Sequence, residues 1–446
     1  MIFIPKSIRS IFLSLNRMLN RIKKKLTGND FLKSLAVLMT GTLIAQIIGY
    51  LLAPIITRLY TPAEMGEFGM FQRVTVLLAT IATARYEYAL PLPKKDKHAF
   101  ILFRFALKIS LITISLCLVA GIVFALMKGK GIDFYLLLLL LIISVFSLAF
   151  FNLGTNWSIR KKYFKKISLS KMSNSITLNS SRVVFGFLSW GSLGLILSFV
   201  LSLIVGASFF VYDFLTLKFI SKSSLHKLKT RVLSREYKNF PLASLPHSLS
   251  DHARDLFIGI ILIELFSESI FGSFDHTYKM LRIPAMLIGA SLSQVFFNHI
   301  SGKFNDGESI LPLFKKIIGY LALFSIIPFA VIYFFGTELF TFVFGDQWMI
   351  SGRLSEIMAP WLMLNFIVTP LSTIPLVFNK QKSFFLISLL TSGLQVAGFL
   401  ILPYLLIKND TQLFLVFELV TWSQVVMNLL ILYYLYNVVK RQKLNS

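Results

Sequence analysis

The sequence has one cysteine, Cys117, in 446 residues, which excludes an intrachain disulfide and a cysteine-based metal site. Acidic residues are scarce, 20 against 45 Lys and Arg, and only 15% of residues carry charge; a globular domain has roughly a quarter. No glycine-rich phosphate loop of the Walker type occurs, so the chain has no ATPase of its own. The six His show no HExxH or other ligand spacing, and no metal site is expected. An acidic catalytic pair in a large loop is missing too. The widest stretch between non-basic ends, GTELFTFVFGDQWMISG (336–352), offers only Glu338 and Asp346. The chain therefore reads as a non-enzyme that needs no cofactor.

What is present is apolar surface: 56% hydrophobic residues, 44 Phe and a mean hydropathy of +0.74. Crossing a hydrocarbon core of ~30 Å takes roughly 20 apolar residues as a helix. Candidate spans lie near 33–57, 68–90, 101–127, 132–157, 172–190, 193–217, 242–265, 276–298, 315–335, 354–378, 384–406 and 412–437. The fifth (MSNSITLNSSRVVFGFLSW) is rich in Ser and Asn. The seventh (LASLPHSLSDHARDLFIGIILIEL) carries five ionisable residues in its first half.

Loop charge decides whether these two are spans. A net charge of +25 suggests nucleic acid only if the cations lie on a soluble face; here they fill short gaps between apolar runs, and no nucleic-acid partner is expected. With twelve spans, one side receives the N-terminal arm and segments 91–100, 158–171, 218–239, 302–316, 379–383 and 438–446, which together hold 31 Lys and Arg. The other side receives five: Arg58, Lys128, Lys130, Arg353 and Lys408. Removing the fifth span would split the basic loops between the two sides. The positive-inside rule thus favours twelve spans with both termini cytoplasmic. The expected fold is an all-α integral membrane protein of about twelve transmembrane helices, placed in a cytoplasmic membrane.

The longest basic gap divides the spans six and six. Expected units are a basic amphipathic arm (1–32) lying on anionic lipid, an N-terminal six-helix lobe (33–217) and a basic cytoplasmic linker (218–240). A C-terminal six-helix lobe (241–437) and a cytoplasmic tail (438–446) complete the chain. Even halves share one orientation, so the repeat is parallel, a pseudo-twofold along the membrane normal around a central cavity. A faint internal match supports it. LYTPAEMGEFGMFQR (59–73) overlays LFSESIFGSFDHTYK (265–279), pairing Gly66 with Gly272, Phe68 with Phe274 and Arg73 with Lys279.

An ionisable residue inside a span costs about 2.5–3.5 kcal/mol on insertion scales and usually faces a cavity or a partner. Arg73, Arg182, Arg254, Lys279 and Arg282 fall inside expected spans. Read functionally, they form a cationic cavity for a phosphate or diphosphate, whose oxygens suit the planar guanidinium fork. Read locally, Arg254 pairs with Asp251 and Lys279 with Asp275. Asp251, His252, Asp255 and Asp275 are candidates for coupling to a proton or sodium gradient. The alternative for the seventh span is a polar helix entrance. Arg85 and Glu87, near the cytoplasmic end of the second span, are a candidate gate or a snorkelling pair. Gln46, Asn152 and Asn156 either bind sugar hydroxyls or join helices.

The first ninety residues carry a further signal. TRLYTP (57–62), GEFGMF (66–71) and ARYEYALPLP (84–93), with RIPAMLIGASLSQVFFNHIS (282–301) and FGDQWMISGRLSEIMAPWL (344–362), resemble the Wzx-type polysaccharide flippases. That resemblance implies a multidrug/oligosaccharidyl-lipid/polysaccharide exporter fold and movement of an undecaprenyl-diphosphate-linked oligosaccharide across the inner membrane for O-antigen or capsule assembly. The implied partners are that polyprenyl-diphosphate-linked oligosaccharide, membrane lipids, and a polysaccharide polymerase with its chain-length regulator. An ion-coupled drug antiporter of the same fold is the alternative, and a polysaccharide polymerase a more distant one. The family's relatives that export drugs usually carry cations, so many deep cations with few carboxylates favour an anionic substrate here.

Overall fold

The computed structural model describes residues 30–220, 226–283, 306–406 and 413–442, with 293, 296–297 and 299–304 between them. The expected arm over 1–29, part of the basic linker and most of the later half of the expected eighth span lie outside the described residues. Every element among the described residues is helical. The first group comprises α1 (Asp30–Leu59), α2 (Pro62–Thr83), α3 (Asp96–Met127), α4 (Ile132–Arg160), α5 (Phe164–Phe187) and α6 (Gly191–Ser208). Two short helices, α7 (Val211–Ile220) and α8 (His226–Glu236), occupy the connection. The second group comprises α9 (Leu245–Leu265), α10 (Glu268–Leu281), α11 (Leu311–Phe344), α12 (Met349–Leu371), the single turn α13 (Ile374–Val377), α14 (Gln381–Leu406) and α15 (Leu413–Gln442).

Local chemistry sets the helix starts. At α2, Thr61 Oγ1 accepts from the Glu64 N–H and Glu64 Oε2 accepts from the Thr61 N–H, at 3.3 and 2.7 Å, with Pro62 in the first turn. This reciprocal box satisfies two donors that a helix start leaves open. Ser267 Oγ does the same service for α10, accepting from Ile270 N–H at 3.2 Å. Both weak candidate spans are helices, as α5 and α9. The fifth begins at Phe164, inside what the sequence reads as a basic loop. Its Ser and Asn side chains join it to its neighbours. Ser170 Oγ donates to Gly206 O, Asn174 Nδ2 to Ser202 O, and Ser175 Oγ to Ala45 O, at 2.6–2.7 Å. Hydrogen bonds of this kind hold polar helices together where no water competes. Asn156 instead donates within its own helix, to Asn152 O at 3.0 Å.

Seven of the described helices are long and apolar enough to cross a membrane: α3, α4, α6, α11, the α12 segment, α14 and α15. Residues 43–59 of α1 form a shorter apolar stretch. Outward-facing positions on these helices are bare hydrocarbon, including Leu116 at 65%, Phe324 at 60% and Leu386 at 64% exposed. An apolar belt of that extent belongs in lipid. The chain is a multi-pass membrane protein.

Helices α1–α6 pack chiefly on one another, and so do α9–α15. Aromatic rings fill both interiors: Phe103 lies edge-on to Phe150 and Trp157 in the first group, and Phe274, Phe399 and Phe417 interlock in the second. The groups meet where α2 runs against α10 and α9, and where α11 touches α1. At the α2–α10 crossing a Cβ on Gly272 would lie 1.8 Å from Pro62 O, and one on Gly66 would lie 2.3 Å from Glu268 O. Only glycine lets the two backbones approach this closely. The two glycines are the pair matched by the faint internal repeat.

Candidate functional site

A cavity of ≈ 560 Å³ opens between the two groups of helices, lined by residues of α1, α2, α5, α9 and α10 together with Arg282 just beyond α10. None of the seven strongly apolar helices contributes to its wall. Four of the five cations read as substrate contacts line it: Arg73, Arg182, Lys279 and Arg282. Arg254 does not. It turns along α9, placing Nε and Nη2 on Asp255 Oδ1 at 3.0 and 2.8 Å and Nη1 on Ser392 Oγ of α14 at 3.3 Å. The local pairing expected for it with Asp251 is replaced by this contact, because the guanidinium reaches forward rather than one turn back.

The cations on the wall fall into two kinds. Arg73 and Lys279, from α2 and α10, share one carboxylate. Arg73 Nη2 binds Asp275 Oδ1 at 2.8 Å and Lys279 Nζ binds Asp275 Oδ2 at 2.7 Å. The expected pairing of Lys279 with Asp275 therefore forms, and Arg73 joins it from the opposite helix group. Asp275 is 7% exposed, while Lys279 is 46% exposed on the cavity side. Gly69 leaves the space for this carboxylate, since a Cβ there would lie 3.1 Å from Asp275 Oδ2. The Arg73 guanidinium also rests on the Phe271 ring at 4.5 Å, and its buried Nη1 has no hydrogen-bond partner.

Arg182 and Arg282 are held by rings rather than carboxylates. Arg182 lies 4.9 Å over Phe68, with Nε buried and unpartnered. Arg282 lies 4.9 Å over Tyr278 and donates to its hydroxyl at 3.0 Å, again leaving Nε without a partner. A ring face steadies a guanidinium without neutralising it. The cavity thus retains positive charge that no side chain on its wall cancels.

His252, Asp255 and Asp275, of the coupling candidates, also line the cavity, whereas Asp251 faces His247 Nδ1 at 3.7 Å. The gate candidates sit at one end of α2. Ala84 and Arg85 both take left-handed backbone, at φ 46 and 61°, where the helix stops. Arg85 Nε reaches across to Ser248 Oγ of α9 at 3.0 Å while Nη1 meets the buried Glu87 at 3.4 Å. At the opposite end, the 345–348 turn hooks the last turn of α1. Trp348 Nε1 donates to Thr57 O at 2.7 Å, Gln347 Nε2 donates to Thr57 O and to Tyr60 O, and Arg58 Nη2 reaches Phe342 O at 3.0 Å.

Several wall residues escape a reading based on charge. Gln72 Oε1 accepts from Lys279 Nζ at 3.0 Å, and buried His276 is enclosed by Phe344 and Trp348. Tyr278 stands one helical turn before Arg282, a spacing visible in the sequence. The Phe68–Arg182 contact joins α2 to α5 and has no sequence signal. Among the described residues, no group of three His, Cys, Asp or Glu side chains is placed to hold a metal.

A family model described as "Polysaccharide biosynthesis protein" matches residues 55–351, more than half of the chain and including the motifs at 57–93. No curated protein matches the sequence. Among solved structures, the lipid II flippase MurJ in an inward closed conformation aligns with a TM-score of 0.69 at 12% identity, over 91% of this chain and 87% of its own. A multidrug resistance MATE family transporter of the MOP superfamily, inward-facing, aligns at 0.67 with 16% identity, over 92% and 96%. A MOP superfamily transporter from Pyrococcus furiosus, whose binding pocket has reverse polarity, aligns at 0.57 with 15% identity, over 92% and 96%. The fold is that of the MOP superfamily transporters.

Proposed function

The chain belongs to the polysaccharide biosynthesis protein family, and on that premise we propose that it is a flippase for a polyprenyl-diphosphate-linked oligosaccharide. The observation that carries this reading is the wall of the cavity between the helix groups, where Arg182 and Arg282 are steadied by rings and left without a carboxylate. A carrier of organic cations has no use for such a wall. A diphosphate linked to sugars needs it, because each phosphate oxygen carried into a low-dielectric interior must meet a cation or a donor. The sugars would occupy the polar volume beside Gln46, Gln72 and Asn179, while the prenyl tail stays in lipid between the helix groups.

In this reading twelve spans form two six-helix lobes related by a parallel pseudo-twofold. The contact of Gly66 with Gly272, and of Arg73 and Lys279 with one carboxylate, supports it, because residues on a twofold axis meet their own mates. Both termini lie in the cytoplasm of a bacterial inner membrane. The end hooked by Trp348 is then extracytoplasmic, and Arg85 with Glu87 guards the cytoplasmic end. Transport proceeds by alternating access, driven by a proton or sodium gradient in which Asp255, Asp275 and His252 are the candidate carriers. Delivery of the repeat unit to a polymerase and chain-length regulator completes the role in O-antigen or capsule assembly.

Deletion of the gene tests this directly. The oligosaccharide-lipid is expected to accumulate in the cytoplasmic leaflet, and Arg182→Ala on a plasmid is expected not to restore surface polysaccharide while reaching the membrane at normal level. Normal periplasmic display in the deletion strain, or altered drug susceptibility with intact polysaccharide, would overturn the reading.

A further inference from the structure

Asp275 is an oddity in a cavity meant for anions. It is buried, it lies on the wall, and it occupies the cations of both helix groups at once, Arg73 on Oδ1 and Lys279 on Oδ2. A carboxylate there repels any anion that enters, unless that anion takes over its partners. We propose that Asp275 is a selectivity residue. It stands in for a phosphate while the cavity is empty, and only a headgroup with at least two negative charges displaces it. The inference rests on the flippase reading and specifies which headgroups that flippase accepts.

The arrangement of charge supports this. Arg182 on α5 is free of carboxylates and can receive one anionic group unaided. A headgroup carrying a single charge is satisfied there and leaves the Arg73–Asp275–Lys279 cluster as it is. It is then held by Arg182 alone, because Asp275 keeps Arg73 and Lys279 for itself, and that shortfall discriminates against it. A diphosphate brings a second anionic group. Arg73 has a buried Nη1 with no partner, and Lys279 is exposed towards the cavity, so both can be drawn onto that group. Asp275 then loses the two cations that made its burial tolerable. The same cluster joins α2 to α10, the helices that cross at Gly66 and Gly272. Displacing Asp275 therefore loosens the contact between the helix groups only when the correct headgroup is aboard.

The full chain in lipid nanodiscs provides the test, with two probes: farnesyl-diphosphate-linked and farnesyl-phosphate-linked N-acetylglucosamine, which differ by one phosphate. The wild type should prefer the diphosphate probe by about thirtyfold. In Asp275→Asn the preference should fall to about threefold or less, mainly through tighter binding of the singly charged probe. Arg182→Ala should weaken both probes by similar factors. An unchanged preference in Asp275→Asn, or equal weakening of both probes, overturns the inference and leaves the flippase reading standing. Failure of the wild type to bind either probe overturns both. Since Asp275→Asn strips a buried pair of its counter-charge and could prevent folding, a second measurement keeps Asp275 intact. A Cys117→Ser background carrying Arg58→Cys and Phe342→Cys reports the far end of the helix groups by bismaleimide cross-linking. The diphosphate probe should slow cross-linking and the monophosphate probe should not; equal effects of the two probes overturn the inference.

Discussion

Helices α2, α5, α9 and α10 differ from α3, α11 and α14 in almost every physical respect, though all lie in one bundle. The second set presents apolar side chains outward, Leu116, Phe324 and Leu386 among them, and meets a solvent with no hydrogen-bonding capacity. The first set carries Arg73, Arg182, Asp255, Asp275 and Lys279 on its inner faces and surrounds the cavity. Its helices are shorter or more polar, and none of the four stands among the strongly apolar spans. Hydropathy in this protein therefore marks what a helix faces. Among the long helices of the bundle, the weakly apolar ones are those that line the cavity.

That contrast can be broken at the glycines first. Gly272→Val drives a side chain into Pro62 O, and overpacking of this kind costs on the order of 3 kcal/mol or more where backbone must move. Export should be lost and the unfolding midpoint should drop in a detergent melt. Gly393→Val on α14, where nothing lies within 4 Å, should leave both unchanged. Equal damage from the two would mean that the α2–α10 crossing is not special.

Charge separates the two sets next. Leu116→Arg on the lipid side of α3 should carry an insertion penalty of about 2.5–3.5 kcal/mol, read as reduced membrane-inserted protein on a blot. Removing a cavity charge should do the reverse. Arg182→Ala is expected to leave insertion intact and to lower export roughly ten- to hundredfold, the worth of a charge-assisted contact of ~1.5–3 kcal/mol. The smallest effect belongs to the polar joints of α5. Asn174→Ala removes the bond to Ser202 O and should cost about 0.6 kcal/mol in unfolding free energy, with little change in transport. A loss of transport without a loss of stability would move Asn174 from the joint to the substrate path.

Much of this was legible beforehand, and for identifiable reasons. The placement of basic segments called for helices at α5 and α9 despite their polarity, because orientation depends on the number of crossings and not on the apolarity of any one of them, and both segments are helical. The match of Gly66 with Gly272 pointed to a contact that the packing realises. The membership of Arg73, Arg182, Lys279 and Arg282 in one wall was legible as a set of costly intramembrane charges. Arg254 shows the limit of that reasoning. Its cost is met by Asp255 and by Ser392, and Ser392 lies 138 positions away in the chain. Whether a buried cation faces a cavity or a neighbour depends on which helix packs against it. Likewise, the ring beneath Arg182 comes from another helix, and nothing near position 182 announces Phe68.

The sequence by itself determined that this chain is an all-helical membrane protein, how its loops distribute their charge, and which residues are too polar to face lipid. These are properties of single segments in a solvent of known polarity. Tertiary structure alone decided that Asp275 stands between Arg73 and Lys279 and that Arg182 has a ring instead of a carboxylate. It also decided that Trp348 closes on Thr57. Each of these depends on where two distant helices cross, and a pairwise distance cannot be read from either partner alone.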